Sequence, residues 1–164
     1  MKIKIIAAVC KNNGIGKNNS LPWNSKTDLN FFSKTTKGNS NNAVLMGRKT
    51  WESLKKPLAN RFNIILSSQN LEVSSPNVKV FKNIDDAIQF SNSKNFDTLW
   101  VIGGSLIYQS FFNNYSNLIE ECLITQIEGE YDCDAFFPNI DNWKISDKII
   151  IGNYEHIVKT YVKY

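Results

Sequence analysis

Apolar and polar positions along this chain change rhythm many times, and each change marks a predicted element boundary. Ile3 to Cys10 is an apolar run of the kind that forms a strand buried on both faces. Lys11 to Ser20, rich in Asn, Gly and Lys, reads as a loop, and Leu21-Pro22-Trp23 leads out of it. Ser25 is placed to cap a helix over Lys26 to Thr36, with Leu29, Phe31 and Phe32 on its inner side. After a polar turn, Ala43 to Met46 is a short strand broken by Gly47, and Lys49 to Leu54 opens a helix that Pro57 ends. Arg61 to Ser67 and Val78 to Phe81 are the next strands, separated by a loop over Gln69 to Pro76. Asn83 caps a helix carrying Ile84, Ala87, Ile88 and Phe90 near one face. Thr98 to Ile102 is a strand that runs into Gly103-Gly104, Ser105 to Phe112 is helical, and Leu118 to Ile127 is a long strand. Ile145 to Ile151 and Tyr154 to Val162 flank Gly152-Asn153, a hairpin signal. Strands and helices alternate and a hairpin closes the chain. The pattern therefore predicts an α/β fold: a doubly wound, mostly parallel eight-stranded sheet, helices on both faces, an antiparallel C-terminal hairpin, all in one domain over residues 1–164.

Composition narrows what such a sheet does. Hydrophobic residues make up 42% of the 164 and charged residues 21%, which suits a packed globular chain and not a disordered one. No apolar run approaches the roughly 18 residues of a membrane span. Met1 to Cys10 is too short and lacks the cleavage site of a signal peptide, so a first strand is the better reading and the cytoplasm the expected location. The net charge of +4 is spread along the chain, as on a solvated surface and not as in a nucleic-acid-binding patch. Three cysteines without a Cys-x-x-Cys pair make neither a disulfide framework nor a zinc site, and Cys10 and Cys122 read as small core residues. A single histidine, His156, excludes a His-rich metal centre and makes a Ser-His-Asp triad implausible, so no metal is expected; a surface or structural role fits its place in the hairpin. Only Arg48 and Arg61 are arginines, against 17 lysines. Arginine alone offers a planar fork for carboxylate or phosphate, so both positions are candidates for binding anions.

In open α/β sheets, ligands bind beyond the carboxyl ends of the strands. Two strand ends here carry glycine. Met46-Gly47-Arg48-Lys49-Thr50-Trp51 joins a strand to a helix whose first N–H groups and basic side chains suit a phosphate; a plain helix start with exposed cations reads equally well. Val101-Ile102-Gly103-Gly104-Ser105 repeats the design without the full G-x-G-x-x-G pattern, so it is either a second phosphate contact or a tight structural turn. Ser67-Ser68 and Lys82 follow the third and fourth strands. Asp28 stands in the first turn of a helix one turn before Phe31 and Phe32. A solvated acid favouring the helix dipole is the simple reading. A carboxylate facing an apolar pocket, which needs a partner, is the other.

Taken together these residues resemble the dihydrofolate reductase family in its bacterial form, over nearly the whole chain and in order. The resemblance rests on Ile6-Ala7-Ala8, Gly14-Ile15-Gly16 to Leu21-Pro22-Trp23, Asp28, Met46 to Ser53, Pro57-Leu58 and Arg61, Asn63 to Ser67, Val101 to Gly104 with Tyr108, Leu123-Ile124-Thr125, and Asp134 to Pro138. Departures are small: Ser105 for a glycine or alanine, Leu21 for a methionine, Lys49 for a histidine. Asp28, where animal relatives carry Glu, matches the bacterial form.

The resemblance implies hydride transfer from NADPH to C6 of dihydrofolate with protonation at N5, in a monomer. It places Asp28, Trp23, Leu21 and Thr125 at the reaction. It assigns NADPH to Ala8, Ile15, Gly47, Arg48, Lys49, Thr50, Ser67, Ser68, Lys82, Ile102, Gly103, Gly104, Ser105 and Tyr108. It assigns dihydrofolate to Ile6, Ala7, Phe32, Leu54, Leu58 and Arg61, the last on the glutamate tail. Asp28 is expected to anchor the pterin edge and favour a protonated N5, with water delivering the proton, while the Gly14–Asn24 loop closes over the nicotinamide. Rival readings are a reductase of the same fold acting on a riboflavin precursor, against which Trp23, Asp28 and Arg61 speak, and a nucleotide-binding regulator without catalysis, against which an intact Asp28 and glycine pair speak.

Overall fold

Every apolar run named above is a strand in the computed structural model, which describes residues 1–164. The strands of the main sheet are β1 (Lys2–Val9), β3 (Ala43–Gly47), β4 (Phe62–Leu66), β5 (Val78–Phe81), β6 (Thr98–Gly103), β7 (Ile119–Gln126), β9 (Trp143–Ile151) and β10 (His156–Lys163). They lie side by side in the order β5-β4-β3-β6-β1-β7-β10-β9. Only β10 runs against the others, pairing antiparallel with β7 and β9. The expected mostly parallel eight-stranded sheet with a C-terminal hairpin is therefore present.

Four helices cover it: α1 (Lys26–Lys37), α2 (Arg48–Ser53), α3 (Ile84–Ser93) and α4 (Ser105–Asn114). Successive strand residues point to opposite faces, and two cores result. Ile5, Leu45, Ile64 and Val101 face α3 and α4, which add Ala87 and Phe111. Ile6, Val44, Met46 and Ile65 face α1 and α2, against Phe31, Phe32 and Trp51. That is why the central strands read as unbroken apolar runs: both sides are covered.

The helix starts follow the predicted caps. Ser25 Oγ accepts the Asp28 backbone N–H at 3.1 Å, and Asn83 Oδ1 accepts that of Asp86 at 2.8 Å. Such a cap contributes about 1 kcal/mol. α1 ends at Gly38, whose φ of +49° suits glycine.

Three local expectations need correction. Leu29 does not face the core; it is half exposed, because α1 carries Asp28 and Thr36 on its buried side. The Lys11–Ser20 segment is not loop throughout. Gly14–Gly16 forms β2, paired with β8 (Ala135–Phe136), a partner more than a hundred residues away that no local pattern announces. The hairpin turn takes four residues, Gly152 to Glu155, with Tyr154 at φ +61°, so the last strand starts at His156 and not at Tyr154.

Candidate active site

The carboxyl ends of β1, β3, β4 and β6 open into one cleft of about 800 Å³. α1 forms one wall, and the starts of α2 and α4 form the floor. The strand–glycine–helix junctions meet there. A Cβ on Gly47 would stand 3.1 Å from Ile107 Cγ1, and one on Gly104 would stand 3.6 Å from Thr50 Oγ1. Gly103 has φ +121°, and a Cβ on it would press on the Tyr108 ring at 3.3 to 3.4 Å. Side chains at these three positions would narrow the floor. Neither α2 nor α4 has a side-chain cap at its start. Their first N–H groups are thus left for whatever occupies the cleft. The basic run that opposes the α2 dipole is partly balanced, since Arg48 donates to Glu52 at 2.7 Å one turn on.

At the α1 wall, Asp28 is buried with 7% exposure. Desolvation raises its pKa above the model-compound 3.8, opposed by a hydrogen bond from Thr125 and by the charge of His156. Apolar Ile6, Leu21, Phe32, Leu54 and Leu58 share the cleft with it. Tyr108 lies between the two halves. Its hydroxyl donates to the Ile6 carbonyl at 2.8 Å, and burial, with Asp28 close by, keeps it firmly protonated. It therefore pins the end of β1 and cannot serve as a base.

The structure brings most of the predicted site residues to this cleft: the apolar set just named, Ala7, Ala8, Ile15, both glycine junctions with Arg48, Lys49, Thr50 and Ser105, and Ser67 and Ser68. Ser67 lines it, but its hydroxyl is engaged by the Gln69 backbone.

Four expected residues lie outside the lining. Thr125 is 1% exposed and sits behind Asp28, so it reaches a ligand only through that carboxylate. Trp23 is buried against Cys10 and Ile127, edge-on to Tyr131 at 5.5 Å, with its Nε1 lacking a protein partner. Lys82 is exposed just past β5, whose last residue Phe81 accepts the Ser67 N–H, and it does not line the cleft. Arg61 is buried beneath the Leu58 loop, donating from Nε to the Ala59 carbonyl at 2.9 Å and from a terminal nitrogen to Thr36 Oγ1 at 3.0 Å. No carboxylate of the chain pairs with it, and burial lowers its pKa.

The lining extends beyond the residues singled out from the sequence. Gly16, Asn19 and Ser20 of the expected closing loop, with Asp134 and Ala135, line the cleft because β2 and β8 pair at its rim. Leu106 and Ile107 line it directly after the glycine pair, and helix position alone could have found them. The sequence marks Asn63 only as part of a matching strand. It holds the Leu58 loop by accepting the Leu58 N–H at 2.9 Å and donating to the Leu58 and Arg61 carbonyls at 3.0 Å. A buried asparagine inside an apolar strand was the available signal. A second cavity, of about 550 Å³ between the end of β1 and β9, contains none of the predicted residues.

Residues 2–162 match a family model described as "Dihydrofolate reductase". The chain is also similar to individual proteins. A dihydrofolate reductase of Heliothis virescens is 34% identical over 99% of this chain and 98% of its own length. One of Drosophila melanogaster is 38% identical over 85% and 81%, and one of Rattus norvegicus 36% identical over 85% and 80%. A bifunctional dihydrofolate reductase-thymidylate synthase of Arabidopsis thaliana is 39% identical over 84% of this chain and 26% of its own length.

Proposed function

The chain belongs to the dihydrofolate reductase family and reduces dihydrofolate with a nicotinamide cofactor; from that premise we propose that the cofactor is NADPH and that Asp28 anchors the pterin. The observation that carries the second point is a buried carboxylate in an apolar cleft with no cationic side chain paired to it. A carboxylate kept there against its desolvation cost needs donors from a ligand. The amine edge of a pterin supplies two in the plane of the carboxylate, a charge-assisted pair.

The residues present fit a dinucleotide. Two uncapped helix starts and a glycine-lined floor suit a pyrophosphate, and Arg48, Lys49, Thr50 and Ser68 surround the α2 start or the neighbouring strand end. With two cations and two hydroxyls beside the uncapped helix starts, the cleft has donors for a further phosphate besides the pyrophosphate, which supports a 2′-phosphate and hence NADPH over NADH. When bound, NADPH supplies hydride to C6 of the dihydropterin.

The protein's own contribution is positional and electrostatic. Asp28 holds the ring and favours positive charge at N5, which lies across the ring, so that water delivers the proton. Ile6, Leu21, Phe32, Leu54 and Leu58 exclude water from the rest of the ring and its spacer. Arg61 binds a carboxylate of the glutamate tail with the donors that Ala59 and Thr36 leave free. The Leu21 segment, tethered at its base by the β2–β8 pair, closes the mouth.

The test is direct. The protein is mixed with NADPH and dihydrofolate at neutral pH and the loss of reduced-nicotinamide absorbance followed; NADH runs in parallel. Turnover with dihydrofolate and a much lower KM for NADPH than for NADH are expected. Equal KM values would remove the cofactor assignment.

A further inference from the structure

His156 is the only histidine of the chain, and it is 8% exposed at the first position of β10. Its Nε2 lies 2.7 Å from Ser25 Oγ and 3.4 Å from Glu155 Oε1. Ser25 Oγ is also the cap that accepts the Asp28 N–H. The other Glu155 oxygen accepts the Thr27 hydroxyl, and Gly152 closes on Thr27 so tightly that a Cβ there would stand 2.7 Å from Thr27 Cγ2. The hairpin turn and the start of β10 thus grip the one helical turn that carries Asp28. His156 Nδ1 is buried with no protein partner, a cost set against the contacts of Nε2.

We propose that His156 is a positioning residue for the pterin anchor: through Ser25 it fixes the turn that aims Asp28, and its protonated imidazole places a positive charge near that carboxylate from the protein side. The inference rests on Asp28 as the pterin anchor. Both protonation states of the ring keep the cap. A bare Nε2 accepts the Ser25 hydroxyl hydrogen, and a protonated Nε2 donates to Ser25 Oγ, whose remaining lone pair still takes the Asp28 N–H. Charge is what changes between them, and Glu155 balances the cation. Around Asp28 the other facing groups are neutral: Thr125 from β7 and the Tyr108 phenol from α4. Around His156 the facing groups are Ser25 and Asp28 from α1 and Glu155 from the turn, with no lysine or arginine paired to any of them. Burial pushes the Asp28 pKa up and His156 pulls it back, so the fraction of carboxylate able to hold a pterin depends on this ring. His156 thereby tunes the hold on dihydrofolate without touching the substrate.

The experiment is a ¹³C NMR titration of the Asp28 carboxyl in ligand-free wild type and His156 variants. In His156→Gln, which keeps a polar partner for Ser25 without the charge, the Asp28 midpoint moves to higher pH than in the wild type. Dihydrofolate binding at pH 6 weakens in the same variant, and NADPH binding does not. His156→Phe adds displaced amide signals over residues 25–28. An unmoved Asp28 midpoint in His156→Gln overturns the proposal, as does unchanged dihydrofolate binding in that variant. Because the titration needs no substrate, these outcomes are independent of whether dihydrofolate is turned over.

Discussion

Asp28, the proposed pterin anchor, is a side chain whose burial costs stability. Its pKa is raised in the fold, so its protonated form is the one that folding favours. The favourable contribution is complete below the model-compound 3.8 and is lost as pH rises through the higher folded value. At pH 7 the carboxylate is therefore a net burden. Asp28→Asn is expected to raise the melting temperature at pH 7, with the gain shrinking toward pH 4. The same variant should lower turnover at pH 7 by at least tenfold, with part of the loss recovered in acid, where N5 is protonated by solvent. A variant as active as wild type at pH 7 contradicts the assigned role. Arg61 differs, because its charge has structural partners and, in the proposed role, a ligand duty as well. Arg61→Ala removes a charge-assisted contact of about 1.5–3 kcal/mol, so the KM for dihydrofolate should rise roughly 10- to 100-fold. The KM for NADPH should stay within a factor of about two, since the arginine lies under the Leu58 loop and not at the glycine junctions. A similar rise for both ligands would place it elsewhere. Each residue was legible as a candidate from its type and scarcity. That Arg61 is clamped by Thr36 and Ala59 was not, because those partners meet it only when α1 packs beside β4.

At the scale of elements, the junctions behave as their composition suggests. Gly103 combines a left-handed φ of +121° with a Tyr108 ring at contact distance, so any Cβ is strained and also displaces the tyrosine that pins Ile6. Gly103→Ala is expected to cost about 1–3 kcal/mol of stability. Its NADPH affinity, measured by fluorescence quenching, should fall more than its dihydrofolate affinity; the reverse order would separate this junction from the cofactor. Helix starts at Ser25 and Asn83 were readable because a cap is a local event between neighbours three residues apart. The β2–β8 pair was unreadable for the opposite reason. Gly14-Ile15-Gly16 has no alternation, and its partner arrives from beyond β7. Lys82 stands outside the lining because β5 is the edge strand, and that place depends on strand order and not on local sequence.

For the whole molecule, stability rests on two cores separated by a sheet about one residue thick. Phe111 is fully buried on the α3–α4 side, in contact with Tyr115 and within the cluster that also holds Ile5 and Tyr108. Phe111→Ala should cost about 3–5 kcal/mol in denaturant unfolding, with the slope against denaturant unchanged. A loss below about 1 kcal/mol would mean that the core closes around the cavity. The cleft itself is a property at this scale. α1 and α2 cover one face and α3 and α4 the other, and the gap between them exists only because the strand ends of β1, β3, β4 and β6 finish at one edge.

What the sequence determined by itself is what short-range physics controls: the buried strands from their apolar runs, the helix starts from their caps, the glycine junctions, and the acid beside two phenylalanines. Those motifs in order were enough to show the family resemblance. The tertiary structure alone decided which of these groups meet. It buried Arg61 away from every carboxylate, put Thr125 and Trp23 behind the cleft, folded β2 onto β8, and carried His156 from the end of the chain to the cap of α1. Each of these depends on contacts between residues far apart in the chain, whose energies are set by burial and geometry that no local pattern encodes.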